Sequence, residues 1–306
     1  MLLHERMKQS NLSNAENAVV HFLFENKTKI ASMTIKSIAN QCYVHPSTLI
    51  RLSKKLGFSG WIELRDSYLE EISYLESHFQ QVDANLPFSA SDGIMTIANK
   101  LAVLEQTTLH DTLSLLHHDD LQKAKQLLLQ SDKIVIFASN ANTLISQDFT
   151  LKMKRIKKEV SIVTTFGESA YEAHNCLPGS CALLISYTGE NSMILQTAAI
   201  LKQKNIPILS LTSIGDNSLS MLSDASLRLT TRERLYSKIG NFTINTSTCY
   251  LLDVLYSCVF AEEYQKNLNH LIAIGQQVDK RNTTSSIMQE KEPEGKIQLS
   301  DSFLPN

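Results

Sequence analysis

The stretch Ile35 to Phe58 reads IKSIANQCYVHPSTLIRLSKKLGF. Two short helical patterns flank a turn. The first runs from Ile35 to Gln41, with Thr34 as its cap and Ile35, Ile38 and Ala39 on its inner face. The residues CYVH make the turn. Pro46 suits the first position of the second helix, because the N–H it lacks has no helical partner there. Gly57 suits the C-terminal cap, where a left-handed residue is needed. Leu49, Leu52 and Leu56 face inward, leaving Ser47, Thr48, Arg51, Lys54 and Lys55 outward. A helix that is apolar on one side and basic on the other, set behind a tight turn, has the form that enters the major groove of DNA.

The flanking residues complete a helical domain. Asn14 to Asn26 places Ala15, Ala18, Val19, Phe22 and Leu23 at helical spacing, and Ser13 with Glu16 forms a capping-box pattern. Trp61 to Leu75 is a further amphipathic helix. Between Lys27 and Arg65 there are seven basic residues, Lys36 among them, and one acid, a local net of +6 in a chain whose net charge is −2. Such a patch neutralises phosphates and gives salt-dependent affinity; by charge alone it is equally an ordinary solvated surface.

Residues 79–93 read as a linker with Pro87 and Gly93, and 94–117 as a long bridging helix. From residue 121 the pattern changes to short apolar runs alternating with helical segments. The runs are 134–138, 160–164, 182–187, 207–211 and 225–229. Alternation of this kind predicts a five-stranded parallel sheet, doubly wound, with helices on both faces. A last apolar helical region spans Thr243 to about Lys280, and Thr246 to Phe260 within it is a candidate subunit interface. The expected organisation is an all-α helix-turn-helix domain over 1–77, a linker and bridging helix over 78–120, an α/β domain over 121–282, and a disordered polar tail over 283–306.

The five cysteines include no C-x-x-C pair and read as thiols in a reducing compartment, so neither a disulfide framework nor a metal site is expected. The first residues lack the apolar core of a signal peptide, and no run of about 18 apolar residues is present to span a membrane. A cytoplasmic location without membrane contact is expected, and no cofactor.

Open parallel sheets bind ligands beyond the carboxyl ends of their strands. Two loops stand out there: Ala138-Ser139-Asn140-Ala141-Asn142-Thr143 and Ser186-Tyr187-Thr188-Gly189-Glu190-Asn191-Ser192. Each leads into a helix and offers hydroxyl or amide groups beside free backbone N–H groups, an arrangement that suits a phosphate. Singly, each loop is better explained by ordinary helix capping; two on neighbouring units point to a site.

Residues 12–65 resemble the helix-turn-helix domain of RpiR-type (MurR-type) bacterial transcriptional regulators. Ala39, Pro46-Ser47-Thr48, Arg51, Leu56-Gly57-Phe58 and Gly60-Trp61-Ile62-Glu63-Leu64 carry the likeness. Residues 121–263 resemble the sugar isomerase (SIS) domain that these regulators carry. Ile185-Ser186-Tyr187-Thr188-Gly189-Glu190-Asn191 is similar to the family's S-x-S-G-E-T segment, and Thr212, Glu233, Lys238 and Asp253 stand where the family has similar residues.

The resemblance implies a phosphosugar sensor. Ser186, Thr188 and Asn191 would meet the phosphate, with Tyr187 in the same loop, and Glu233 would face the sugar. The family's first loop is G-x-G-x-S; here Asn140 replaces a glycine, for which its tolerance of left-handed backbone qualifies it, and Asn142 replaces the serine and can donate through its amide. On the DNA side, Arg51 would read a base edge, guanine by a bidentate fork, while Lys54 and Lys55 hold phosphates. His45 stands where the family often has a capping serine; it is a poorer cap that could touch a phosphate when charged.

The expected partners are double-stranded operator DNA, a sugar-phosphate effector and a second copy of the chain. A sugar-phosphate isomerase with Glu233 as its base, and a ligand-blind DNA-binding dimer whose sugar site has decayed, remain open.

Overall fold

The computed structural model describes residues 1–76, 82–165, 167–285 and 287–290, with the side chains of Thr28 and Glu76 excepted. Most of the expected disordered tail, and the start of the expected linker, lie outside these residues.

The N-terminal domain packs α1 (Leu3–Gln9), α2 (Asn14–Asn26), α3 (Ile35–Gln41), α4 (Pro46–Lys55) and α5 (Trp61–Glu76), with a 3-10 segment at Lys27–Ser32 between α2 and α3. Ser13 caps α2, and its backbone N–H donates to Glu16 at 2.8 Å, so the capping box forms. Thr34 caps α3 through Ser37 N–H. Gly57 has φ +86°, as a left-handed cap requires. Val19, Leu23, Ile38, Ala39, Leu49, Leu52, Leu56, Leu64 and Tyr68 form the core. The α1 helix and the 3-10 segment carry too few periodic residues to be read from the sequence.

The second domain holds β1 (Lys133–Phe137), β2 (Glu159–Val163), β3 (Ser180–Ser186), β4 (Ile208–Thr212) and β5 (Ala225–Arg228), all parallel, in the order β2-β1-β3-β4-β5. The period-2 alternation of strands divides their side chains between two cores. Ile134, Ile136, Cys181, Leu183, Ile185, Leu209 and Leu211 face one core. It is shared with α7 (His118–Gln130), α8 (Ala141–Arg155) and α12 (Phe242–Glu262). Val135, Phe137, Ala182, Leu184 and Ile208 face the other core. It is shared with α9 (Ser169–Asn175), α10 (Ser192–Gln203) and α11 (Ser218–Leu222). Both faces are covered, so the central strands β1 and β3 carry apolar residues on both sides, while the edge strand β5 is apolar only at Ala225 and Leu227, with Ser226 and Arg228 on its other face. The doubly wound sheet is the one the alternation predicts.

Three helical expectations change. The pattern over 94–117 ends as α6 (Ile94–Ser114), and a separate α7 begins at His118. The apolar stretch from Thr243 breaks at Glu263 into α12 and α13 (Tyr264–Val278). The apolar face of α12 is buried within the chain: Leu251, Leu252, Leu255 and Val259 pack on its own sheet, while Cys249, Asp253 and Ser257 are exposed. Of the expected interface stretch Thr246–Phe260, Ser247, Thr248, Leu251, Leu252, Leu255 and Val259 are buried within the chain, and the other residues are exposed or half-buried. Apolarity marks burial, without saying whether the cover is the same chain or another.

Candidate functional site

The turn between α3 and α4 places one side chain set at the protein surface. Lys36, His45, Ser47, Arg51, Lys54 and Lys55 are exposed, as expected. Thr48 is not: it is 3% exposed, and its hydroxyl lies 3.4 Å from Arg51 Nη2 as the acceptor. Its expected outward position is corrected by helical spacing, since Thr48 and Leu52 are four apart and share the inner face. Thr48 orients Arg51. Lys55 Nζ donates to Glu16 at 3.2 Å and so ties the end of α4 to α2. His45 caps the helix: Nδ1 accepts from Ser47 N–H at 3.3 Å, a long contact for a cap. With Nδ1 as acceptor, a neutral ring carries its proton on Nε2, the other nitrogen.

The sheet order reverses between β1 and β3, the switch point at which such sheets bind ligands. Phe137 pairs with Leu184, so the two asparagine- and serine-bearing loops leave neighbouring strands side by side. In the β3 loop, Ser186 is buried at the strand end. Thr188 Oγ1 accepts from Glu190 N–H at 3.1 Å. Asn191 caps α10, its Oδ1 accepting from Met193 and Ile194 N–H, both at 3.1 Å. Gly189 has φ +67°, and a Cβ there would lie 2.0 Å from Asn217 Oδ1 and 2.8 Å from Thr212 Oγ1. Only glycine fits.

In the β1 loop, Ser139 and Asn140 are exposed and Asn142 is half-buried in the first turn of α8. Asn140 has φ +54° and ψ −130°, and its side chain makes no capping bond. Positive φ was expected, but this ψ is far from the left-handed helical well that asparagine tolerates. The residue holds a glycine's backbone without a glycine's freedom.

Glu233 is the most engaged residue of the group. None of its side chain is exposed. Oε1 accepts from Thr243 N–H at 2.6 Å, Thr243 Oγ1 at 2.8 Å and Ile244 N–H at 3.1 Å. Oε2 accepts from Lys238 Nζ at 2.8 Å. The carboxylate therefore stands on the N-terminus of α12, where anions are favoured. Tyr187 reaches the same place: its hydroxyl donates to the Glu233 carbonyl at 2.8 Å and accepts from the Glu233 N–H at 3.2 Å. Burial pushes the Tyr187 phenol well above its ordinary range. The fold brings Tyr187 and Glu233 together, and aligns Ser186, Thr188 and Asn191 along one loop beside Asn140 and Asn142.

The rpiR-family helix-turn-helix domain matches residues 1–74, and the SIS domain matches residues 127–258. The chain is of the RpiR type. An HTH-type transcriptional regulator of Caldanaerobacter subterraneus is 22% identical over 266 residues, which is 87% of this chain and 92% of that protein. The HTH-type transcriptional regulator YbbH of Bacillus subtilis is 23% identical over 260 residues, 85% of this chain and 90% of its own. Among solved structures, the Vibrio vulnificus NanR protein complexed with ManNAc-6P aligns with a TM-score of 0.55 and 20% identity, covering 90% of this chain and 97% of that one. The sugar isomerase domain of an RpiR transcription factor from Sphaerobacter thermophilus aligns at 0.52 and 13% identity, over 58% of this chain and 98% of that one. At these identities the structural likeness speaks for the fold.

Three features of this RpiR-type chain escaped the sequence reading. Glu190 accepts from Ser218 N–H at 2.8 Å and Ser218 Oγ at 2.7 Å, which pins the β3 loop to α11 and holds the Glu190 carboxyl below its usual range. Tyr43, in the turn before α4, has φ +55° and is 96% exposed. Tyr74, near the end of α5, touches the segment that carries Glu233 and is treated below. Only Tyr43 had a local signal, a bulky residue inside a tight turn. Among the described residues no helix is long and apolar enough to cross a membrane.

Proposed function

We propose that this chain is a cytoplasmic DNA-binding transcriptional regulator whose operator affinity is set by a phosphorylated sugar, and that it acts as a homodimer on a two-fold operator. The observation that carries the reading is the pair of loops at the β1/β3 switch point, on the same chain as an exposed, basic, N-capped α4. The relatives named as transcriptional regulators, and the ManNAc-6P held by the Vibrio vulnificus protein, support the same class of role and of ligand. Lys36, His45, Ser47, Arg51, Lys54 and Lys55 meet the DNA in this reading, with Thr48 behind Arg51. Ser186, Thr188, Asn191, Asn140 and Asn142 meet the phosphate, and Tyr187 and Glu233 close the sugar end.

The isomerase reading is disfavoured by Glu233. A general base must come within hydrogen-bond reach of the proton it takes. This carboxylate is fully buried and held by four donors. A ligand-blind DNA-binding protein is favoured by one observation: Asn191 already occupies the Met193 and Ile194 N–H groups that a phosphate would use.

Fluorescence anisotropy on DNA from upstream of the protein's own gene, with and without a panel of sugar phosphates that includes ManNAc-6P, tests the reading. Specific binding that shifts with one member is expected. Specific binding indifferent to all of them would favour the ligand-blind reading, and turnover of any one would restore the isomerase.

A further inference from the structure

The segment from Thr230 to Ile244 touches both domains, residue by residue. Thr231 N–H donates to Tyr74 Oη at 2.6 Å. The Arg232 guanidinium lies 4.1 Å from the centroid of the Tyr74 ring and donates to the Tyr74 carbonyl. The same guanidinium pairs with Asp111 of α6 at 2.9 Å, with 13% and 2% of the two side chains exposed. Thr230 Oγ1 donates to the other oxygen of Asp111. Asn85, in the connection after α5, clamps the next residues: its Nδ2 donates to the Arg232 carbonyl at 3.3 Å, its Oδ1 accepts from Arg234 N–H at 2.6 Å, and its carbonyl accepts from Ile239 N–H at 2.9 Å. Between these ties sits Glu233, whose backbone is gripped by Tyr187 and whose carboxylate is held by Lys238 and the first turn of α12.

The placement of Glu233 in the candidate sugar site is therefore over-determined from the N-terminal side. Tyr74 is 5% exposed, and burial together with the Asp111 carboxylate pushes its phenol up to about 12, so it stays a neutral hydroxyl with a lone pair for Thr231. On its other side the junction is open. A cavity of about 760 Å³ between the domains is lined by Phe58, Glu70, Tyr74, Asp216 and Arg228, among others. Helix α5 thus has strong polar ties to the segment and empty space beside it. Coupling between sites is carried by contiguous networks of hydrogen bonds and ion pairs, and the ties from Tyr74 and Asp111 through residues 230–234 form one.

We propose that Tyr74 of the DNA-binding half, Arg232, which Tyr74 holds, and Asn85 of the connection are positioning residues of the sugar site, and that α5 and the Glu233–Lys238 cluster are energetically coupled through residues 230–244. The coupling rests on the preceding reading only for its purpose: a phosphosugar that draws Lys238 or Glu233 towards itself shifts residues 231–232, and with them Tyr74 and α5. By reciprocity, DNA that fixes α5 biases the sugar site.

The test needs neither ligand nor DNA. Backbone hydrogen exchange of the full-length chain is compared with that of Tyr74→Phe and, separately, Asn85→Ser. Loss of the Tyr74 hydroxyl speeds exchange at Thr231 directly. The coupling predicts that Thr243 and Ile244, which the Glu233 carboxylate holds, also exchange about fivefold faster or more, the lower end of ordinary allosteric coupling, while Ile134 to Phe137 in β1 stay unchanged. Lys238→Met is expected to act in reverse, speeding exchange in the last turn of α5. Changes confined to Thr231, or equal acceleration across β1 and the whole chain, would overturn the proposal. If Tyr74→Phe does not fold, the response of α5 to Lys238→Met decides the coupling, and Asn85→Ser decides whether the 231–234 segment holds Thr243 and Ile244. A chain that shows the coupling but binds no sugar phosphate keeps this inference and loses the functional reading.

Discussion

Glu233 and Lys238 form an ion pair of 2.8 Å in which 0% and 11% of the two side chains are exposed. Removing one member of a buried pair leaves the other charge without its partner, at a cost of about 3–5 kcal/mol in well-buried cases. Lys238 keeps some solvent, so Lys238→Met is expected at the low end, about 3 kcal/mol by urea denaturation. Glu233→Gln/Lys238→Met is expected to lose less than the sum of the two single variants. Strict additivity would show that the two charges do not depend on one another.

Asn140 and Gly189 call for opposite substitutions. Asn140 holds φ +54° and ψ −130° with no capping bond in return. Relief of that backbone should make Asn140→Gly more stable by about 1 kcal/mol, the low end of such strain. Gly189→Ala should lose at least about 2 kcal/mol, because a left-handed backbone and a clash add. The added Cβ would lie 2.0 Å from Asn217 Oδ1. Thermal melting of the two variants checks both signs.

The basic residues of α4 separate by what they touch. Arg51→Ala is expected to relax discrimination at one base pair by about 1–3 kcal/mol. Lys54→Ala should weaken binding to all sequences and reduce the salt slope by about 1. Lys55→Ala differs from both: its ammonium is shared with Glu16, so it should also lower the melting temperature of the free protein. Salt titrations on matched and mismatched sites, with a melt of each variant, distinguish the three.

Glu16 makes the N-terminal domain acid-sensitive. Its carboxyl is held below the ordinary value, first by the Ser13 backbone N–H, then by the Ser13 hydroxyl and Lys55. A carboxylate held down adds stability that is fully present above its unfolded value and is lost as the pH falls through the folded one. The advantage of the wild type over Glu16→Ala, about 1 kcal/mol for a lost cap, should be constant near neutrality. It should begin to close below about pH 4, the unperturbed glutamate range. An advantage that grows on acidification would reverse the assignment.

His45 is replaceable in one direction. His45→Ser keeps an acceptor for Ser47 N–H and should leave stability nearly unchanged. His45→Ala should lose about 0.5–2 kcal/mol, as N-caps do. Equal melting temperatures for the two variants would show that the 3.3 Å contact contributes nothing.

What the sequence determined by itself was local. Pro46, Gly57, Ser13 with Glu16, and Thr34 set helix ends because capping acts over three or four residues, and the ends fall where those residues stand. The alternation of apolar runs with helical segments determined a parallel sheet covered on both faces, since only such a sheet buries both sides of every strand. The loops that begin at Ala138 and Ser186 were legible because strand ends and caps are local too. The tertiary structure decided the rest, through contacts between residues far apart in the chain. It turned Thr48 inward, buried the apolar face of α12 on its own sheet, and set Asn217 against Gly189. It also filled the Glu233 carboxylate with donors from residues 238, 243 and 244, and joined Tyr74 to Thr231 across 157 residues. No spacing rule reaches that far, because the partner of a buried polar group is chosen by where the chain folds back and not by its neighbours in sequence.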